Sequence, residues 1–238
     1  TFLTLLATFA LLFSFTFSCH AKGKDKAKHV VFIGLDGWGA YSLPKADMPN
    51  VKKLMEDGAY TLKKRSALPS SSAINWASMF MGAGPELHGY TEWGSKTPEL
   101  PSRVLNKNGI FPTVFQLLRD ARPEAEIGCL YEWEGIKYLV DTLSLSYHYH
   151  VADCNKTPKE LGNMASSYIK EKHPALVAIC YDGPDHTGHT AGHDTPEYYE
   201  KLKELDMYVG QIVQAVKDAG MLDDTIFILT SDHGGIDK

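Results

Sequence analysis

The sequence has no excess of positive charge. Its 24 Lys and Arg face 29 Asp and Glu, a formal net charge of −5. That argues against a general nucleic-acid binder, which needs a basic face. Compositional bias is also missing: hydrophobic residues make up 44% and charged residues 22% of the 238, with 20 Gly and 12 Pro. A disordered or collagen-like chain is thereby excluded. Cysteine is scarce, and Cys19, Cys129, Cys154 and Cys180 form no CxxC pair, so neither a zinc ribbon nor a thioredoxin-type site is supported. One disulfide among the last three stays open, with no partner specified. No internal repeat and no long linker appears, and the length suits one large domain. The chain opens at Thr1 without a Met and stops three residues after Gly235, so it reads as a fragment at both ends.

Charge is also absent from Phe2 to Ser18, an almost wholly apolar run, and first appears at Lys22. The run is slightly short of the roughly 20 residues a bilayer-spanning helix needs. Its position and the small polar residues at its end fit an export signal over residues 1–21. Two processing routes are open. Cys19 is a candidate for lipid attachment, although no Leu precedes it in the usual place, and cleavage after Ala21 is the other. An uncleaved anchor helix is a third reading. Residues 22–28, basic and Gly-containing, read as a flexible tether.

From residue 29 strand and helix alternate. The apolar, partly β-branched runs His29–Leu35, Glu126–Trp133, Ala175–Tyr181 and Thr225–Thr230 read as strands, the buried ones of a mostly parallel sheet. Tyr60–Leu68 is read as a further strand. Helices are expected over Pro49–Glu56, Ala73–Met81, Thr113–Arg119, Thr157–Lys172 and Thr195–Ala219. Pro49 sits near a first turn, Gly82 and Gly220 stop their helices, and Thr157 with Glu160 has the spacing of a capping box. The pattern is that of an α/β fold with a mostly parallel sheet between helices. Ligands of such folds bind beyond the carboxyl ends of the strands.

Ligand-type side chains collect at those ends. The first strand runs into Asp36. The Ala175–Tyr181 strand runs into Asp182, Asp185, His186 and His189. The last runs into Asp232 and His233. Carboxylate plus imidazole is a common first shell for Zn²⁺ and similar ions. Asp185 and His189 lie four apart, so one helical turn or a tight loop can aim both at one ion. Taken singly, an Asp-Gly after a strand is more often a turn. Three strand ends delivering such residues to one sheet edge favour a metal site. Pro69–Trp76 adds a Ser run opening a helix, where a hydroxyl meets free backbone N–H groups and the positive end of the dipole. For any one of the three serines an ordinary cap is the simpler reading.

In order and together, four segments resemble the alkaline phosphatase superfamily, and within it the type I phosphodiesterase/nucleotide pyrophosphatase family. They are GLDG at Asp36, PSSSAINWASMFMGAGPELHG ending at Gly89, PDHTGHTAG at Asp185 and SDHGG at Asp232. The resemblance runs from about His29 to the last residue, the span of one catalytic domain left incomplete at its C-terminus. It implies an alkaline-phosphatase-like fold and a phosphodiester or pyrophosphate hydrolase with two zinc ions. The family's nucleophile precedes an Asn by three and the HG histidine by sixteen, and Asn75 and His88 both count back to Ser72. Asp36, Ser72, Asp232 and His233 then hold one zinc. Asp185 and His189 hold the second, which the family completes with a His further downstream. Ser72 attacks phosphorus to give a phosphoserine intermediate.

Two departures qualify the resemblance. Trp93 falls where phosphodiesterases of this branch place an Asn against the phosphoryl group, leaving Asn75 as a weak substitute. His193 replaces the Pro of GHxxGP. His193, His186, His148 and His150 are expected at the surface or behind the ligands. Tyr90, Trp93 and Trp133 are available to stack a nucleobase or sugar. The implied partner is a small phosphate ester, including a nucleotide, with a membrane tether through Cys19 if lipidated and a periplasmic or envelope location. Within the same superfamily, a phosphonate C–P hydrolase and a phosphomonoesterase remain alternatives. A formylglycine sulfatase does not, since its Cys/Ser-x-Pro-x-Arg segment is absent. A non-catalytic metal-binding envelope protein is a rival of another class.

Overall fold

The computed structural model describes residues 27–151 and 157–235. The segment read as an export signal, Cys19 and most of the segment read as a tether lie outside the described residues, as does Cys154. Among the described residues no helix is long and apolar enough to cross a membrane.

Among the described residues five strands form one sheet: β1 (His29–Leu35), β2 (Ile127–Tyr131), β3 (Tyr147–His150), β4 (Leu176–Tyr181) and β5 (Thr225–Thr230). Their order is β3-β2-β4-β1-β5, and every pairing is parallel. The helices are α1 (Pro49–Asp57), α2 (Ser72–Met81), α3 (Val114–Ala121), α4 (Thr157–Lys172), α5 (Gly183–Ala191) and α6 (Pro196–Asp218). A single helical turn, Pro85–His88, follows α2.

Strand periodicity decides which helix covers which face. Val31, Ile33 and Leu35 of β1, with Val177, Ile179 and Tyr181 of β4, join residues of α1, α4 and α6 in one core. The alternate residues Ala178 and Cys180 of β4 and Cys129 and Tyr131 of β2 join Trp76, Phe80 and Phe115 from α2 and α3 in the other. Both faces are thus covered, as parallel sheets require. The α/β fold expected from the alternation is the fold observed.

One expectation is corrected. Tyr60–Leu68 is not a strand. Residues 59–71 form an irregular connection, with Tyr60 64%, Leu62 43% and Leu68 79% exposed. A run broken by Lys63, Lys64 and Arg65 finds no neighbouring ladder to enter, so the loop stays outside. The fifth strand of the sheet is instead β3, whose Tyr147–His150 sequence lacks the apolar character of a buried strand. It is an edge strand paired only with β2, which tolerates polar residues. The disulfide that the sequence left open involves neither Cys129 nor Cys180, which are buried free thiols on adjacent strands.

Candidate active site

Three strand ends converge as the topology requires, because β4, β1 and β5 are consecutive neighbours. Asp36 follows β1 and is 2% exposed, and Asp232 follows β5 and is fully buried. Glycines make the convergence sterically open. A Cβ at Gly34 would stand 2.2 Å from the Trp76 ring, so the indole of α2 lies directly over β1. That placement lets Trp76 Nε1 donate to Asp36 Oδ2 at 2.8 Å. Gly37 has φ +67°, and a Cβ there would lie 2.7 Å from Asp185 Cα. Only a glycine lets the β1 loop and the first turn of α5 press together. The Gly37 N–H donates to Asp232 Oδ1 at 3.2 Å.

Ser72 is the first residue of α2, and Ser71 supplies no side-chain cap. The first-turn amides of the helix are left for another acceptor. Ser72 Oγ lies 3.2 Å from His233 Nε2 and 3.4 Å from Asp36 Oδ1. His233 Nε2 is also 3.4 Å from Asp36 Oδ1 and 3.4 Å from Asp232 Oδ2. Asp36, Asp185 and His233 each offer a ligand atom, all within 4.8 Å of one another. His189 is more peripheral: its side chain is 71% exposed and its Nε2 reaches Asp185 Oδ2 at 3.3 Å. Of the six residues the sequence marked as metal ligands, Asp36, Ser72, Asp185, Asp232 and His233 are drawn together, and His189 joins through Asp185.

This donor set fits a divalent cation. His233 Nδ1 stands 2.9 Å from Gly234 O. A carbonyl only accepts, so Nδ1 carries the proton and Nε2 turns its lone pair toward Ser72, Asp36 and Asp232. Asp185 Oδ1 and Asp232 Oδ2 are buried without a hydrogen-bond donor. Burial pushes the carboxyls of Asp36 and Asp232 above the ordinary range, and in Asp36 repulsion from Asp232, Asp182 and Asp185 adds to it. Asp182, at the mouth, is pushed up to about 6 by burial and by Asp185. Facing lone pairs and repelling carboxylates are the conditions a cation relieves.

Other residues stand apart. Asn75 is buried, its Oδ1 accepting from Ala67 N at 2.6 Å and its Nδ2 donating to Ser71 O at 3.1 Å, so it braces the loop before Ser72. Trp93 is 67% exposed, its ring 6.5 Å from that of Trp133. Trp133 in turn borders a small internal gap with Asp36, Trp76 and Asp182. His193 is buried between Gly188 and Gly235, its ring 5.7 Å from that of His189. It therefore sits behind the ligands, whereas His186 is exposed. His150 stacks on Tyr131 and binds Glu132 O, and His148 Nδ1 meets Tyr131 OH at 3.4 Å.

Sequence reasoning did not single out Trp76, although it stands one turn after Ser72 within the quoted motif. Lys64 was also passed over as part of a strand. Its ammonium donates to Ser231 O beside Asp232, and burial lowers its pKa.

Fold and site together define a parallel α/β protein presenting a helix-terminal serine to a carboxylate–imidazole cluster at its strand ends. Residues 30–237 match the family model described as type I phosphodiesterase/nucleotide pyrophosphatase. The chain belongs to that family. It is 26% identical over 221 residues to a bis(5'-adenosyl)-triphosphatase of Mus musculus, a match covering 88% of this chain and 48% of the relative. It is 24% identical to ectonucleotide pyrophosphatase/phosphodiesterase family member 1 of the same species, covering 86% and 24%. The solved structure of murine ectonucleotide pyrophosphatase/phosphodiesterase 5, an inactive form in complex with AMP, superposes with a TM-score of 0.67. At 19% identity, over 87% of this chain and 57% of that one, it shares the fold. The chain spans about half the length of the first of these relatives and a quarter of the second.

Proposed function

We propose that this chain is the catalytic part of an exported, metal-dependent phosphoric diester or pyrophosphate hydrolase in which Ser72 is the nucleophile. The carrying observation is the placement of Ser72 Oγ 3.2 Å from His233 Nε2 and 3.4 Å from Asp36 Oδ1, at the first turn of α2. Asp36, Ser72, Asp232 and His233 would hold one zinc ion, and Asp185 and His189 the second. Bound zinc supplies a Lewis acid that lowers the serine pKa and neutralises phosphoryl charge. The rest is done by the chain. Asp36 and His233 fix the Ser72 hydroxyl, and Trp76 fixes Asp36. Asn75 braces the loop that delivers Ser72. The uncapped amides of α2 face the transferring phosphoryl oxygens. Ser72 Oγ bonds to phosphorus as the bond to the leaving alkoxide or phosphate breaks. Water then cleaves the phosphoserine and returns the hydroxyl.

A nucleotide-type substrate is supported by the relatives' names, and the Trp93–Trp133 pair, with Trp93 largely exposed, offers aromatic faces for stacking a base. Export is supported by the apolar run Phe2–Ser18 and by the ectoenzyme name of one relative. A mature N-terminus at Cys19, lipid-modified, or at Lys22 would be read by mass spectrometry. A mature N-terminus upstream of Cys19 would count against both routes.

For the reaction, rates on a bis-aryl phosphodiester, an aryl monoester and a phosphonate decide the class, with the diester expected fastest. A preference for the phosphonate would transfer the protein to the C–P hydrolase reading. Ser72→Ala should lower turnover at least about 1,000-fold while zinc content, read by atomic absorption, changes little. Full activity in that variant would remove Ser72 from its role.

A further inference from the structure

One buried ionisable group has no part in the reaction as described. Glu132 directly follows β2 and is only 9% exposed. Its main chain is fixed on both sides: Glu132 N donates to Cys180 O at 3.1 Å, and His150 Nε2 binds Glu132 O at 2.9 Å. Neighbouring strands β4 and β3 therefore hold it, and its carboxyl reaches across the end of the sheet. There Oε2 accepts from the Asp182 N–H at 2.6 Å.

Asp182 is the N-cap of α5, the helix that carries Asp185 and His189. That helix has no side-chain cap of its own, and Pro184 in its first turn has no N–H to offer. Helices α3 and α6, by contrast, are capped locally by Thr113 and Thr195. At α5 the acceptor arrives from the next strand instead. A carboxylate is electrostatically suited to a helix N-terminus. Burial nevertheless pushes Glu132 up to about 7, against the pull of the Asp182 and Gly183 amides. Asp185 in the same turn is pressed against Gly37, where no side chain fits. The first turn of α5 is thus gripped between the β1 loop and Glu132.

We propose that Glu132 is a positioning residue for the Asp185–His189 pair: it anchors the first turn of α5 to the end of β2 and sets the distance of that pair from Asp36 and His233. The inference rests on the metal-dependent reading given above. It predicts that loss of the acceptor loosens one metal site selectively and leaves the other in place.

The test compares wild type, Glu132→Leu and Glu132→Gln by calorimetric titration of the metal-stripped protein with zinc chloride, by thermal melting, and by kcat and KM on a bis-aryl phosphodiester. Wild type should bind two ions. Glu132→Leu should weaken one of them about 10- to 100-fold and leave the other within about 3-fold, with the loss of activity in kcat rather than KM. Glu132→Gln keeps a carbonyl acceptor for Asp182 N–H and should recover the weakened site to within about 5-fold. General damage to the fold would weaken both sites together and would not be rescued by Gln, and that outcome overturns the proposal. So does wild-type zinc binding by Glu132→Leu. If the Leu variant does not fold, Glu132→Asp, which shortens the reach by one methylene, should weaken the same single site, and no change there is equally fatal. Wild type that binds no zinc would overturn the metal-dependent reading itself, an outcome distinct from two intact sites in the variant.

Discussion

The indole N–H of Trp76 donates to Asp36 Oδ2 at 2.8 Å, joining the helix that begins at Ser72 to the carboxylate that ends β1. The other oxygen of Asp36 faces Ser72 Oγ and His233 Nε2. One buried bond therefore sets which lone pair of Asp36 enters the site.

Trp76→Phe keeps most of the ring packing against Phe80 and Phe32 and removes only that donor. Zinc affinity and kcat/KM should each fall about 10- to 100-fold, the range for partners that orient metal ligands. The melting temperature should move little, by an amount worth about 1–2 kcal/mol. Calorimetry and steady-state kinetics read the two effects, and unchanged zinc affinity would contradict the orienting role.

Gly37→Ala tests the contact between the β1 loop and α5. The added methyl meets Asp185 Cα at 2.7 Å at a φ of +67°, so either backbone must move. A loss of roughly 1–3 kcal/mol in stability is expected from the left-handed conformation alone. Displacement of Asp185 should also weaken zinc binding at least about tenfold. Urea titration with and without zinc separates the two.

The metal-free protein should be less stable at pH 8 than at pH 5. Glu132 moves from its ordinary 4.5 to about 7 on folding, and Asp182 from 3.8 to about 6, chiefly through burial. Folded-state protons are held more tightly than unfolded ones. Their stabilisation is complete below about pH 4 and is lost as pH rises through 6 and 7. Asp36 and Asp232 act in the same direction. Asp120, Asp194 and Asp224 are shifted down by lysines and act oppositely, but they lie at the surface, where solvent screens their pairs. Glu132 alone accounts for a change on the order of 2–3 kcal/mol. Melting curves across this range should show the decline, a shallower one in Glu132→Gln, and little of it with zinc present. Rising stability toward pH 8 in the stripped wild type would refute the assignment.

Asp206→Ala separates scaffold from chemistry. Asp206, 1% exposed on α6, accepts from Val51 N at 2.8 Å, Asn50 N at 3.0 Å and Asn50 Nδ2 at 2.8 Å, capping α1 from across the interface. Its removal strands the two backbone donors, while Asn50 Nδ2 keeps the Asp206 main-chain O at 3.1 Å, and should cost about 2–3 kcal/mol, with kcat unchanged in the fraction that remains folded. Chemical denaturation paired with kinetics at low temperature measures both.

The chain's own pattern determined the strands β1, β2, β4 and β5 and the long helices, because a strand buried on both faces must be a short apolar run and a capped helix carries its own boundary residues. Local motifs also marked Asp36, Asp185, Asp232 and His233, since ligand-type residues following strands are a one-dimensional signal, whereas Ser72 is marked out from its neighbouring serines only by the family resemblance of its segment. Tyr60–Leu68 misled for a matching reason: local apolar content does not reveal whether a ladder partner exists. Strand β3 was missed because an edge strand needs a neighbour and no particular composition. Only the tertiary structure decided that β4, β1 and β5 lie side by side, which turns three separate motifs into one cluster. It alone assigned Trp76 to Asp36, Glu132 to the first turn of α5 and Asp206 to α1. Each of those is a contact between residues 40 to 156 positions apart, and a hydrogen bond of that span leaves no periodicity or spacing for the sequence to display.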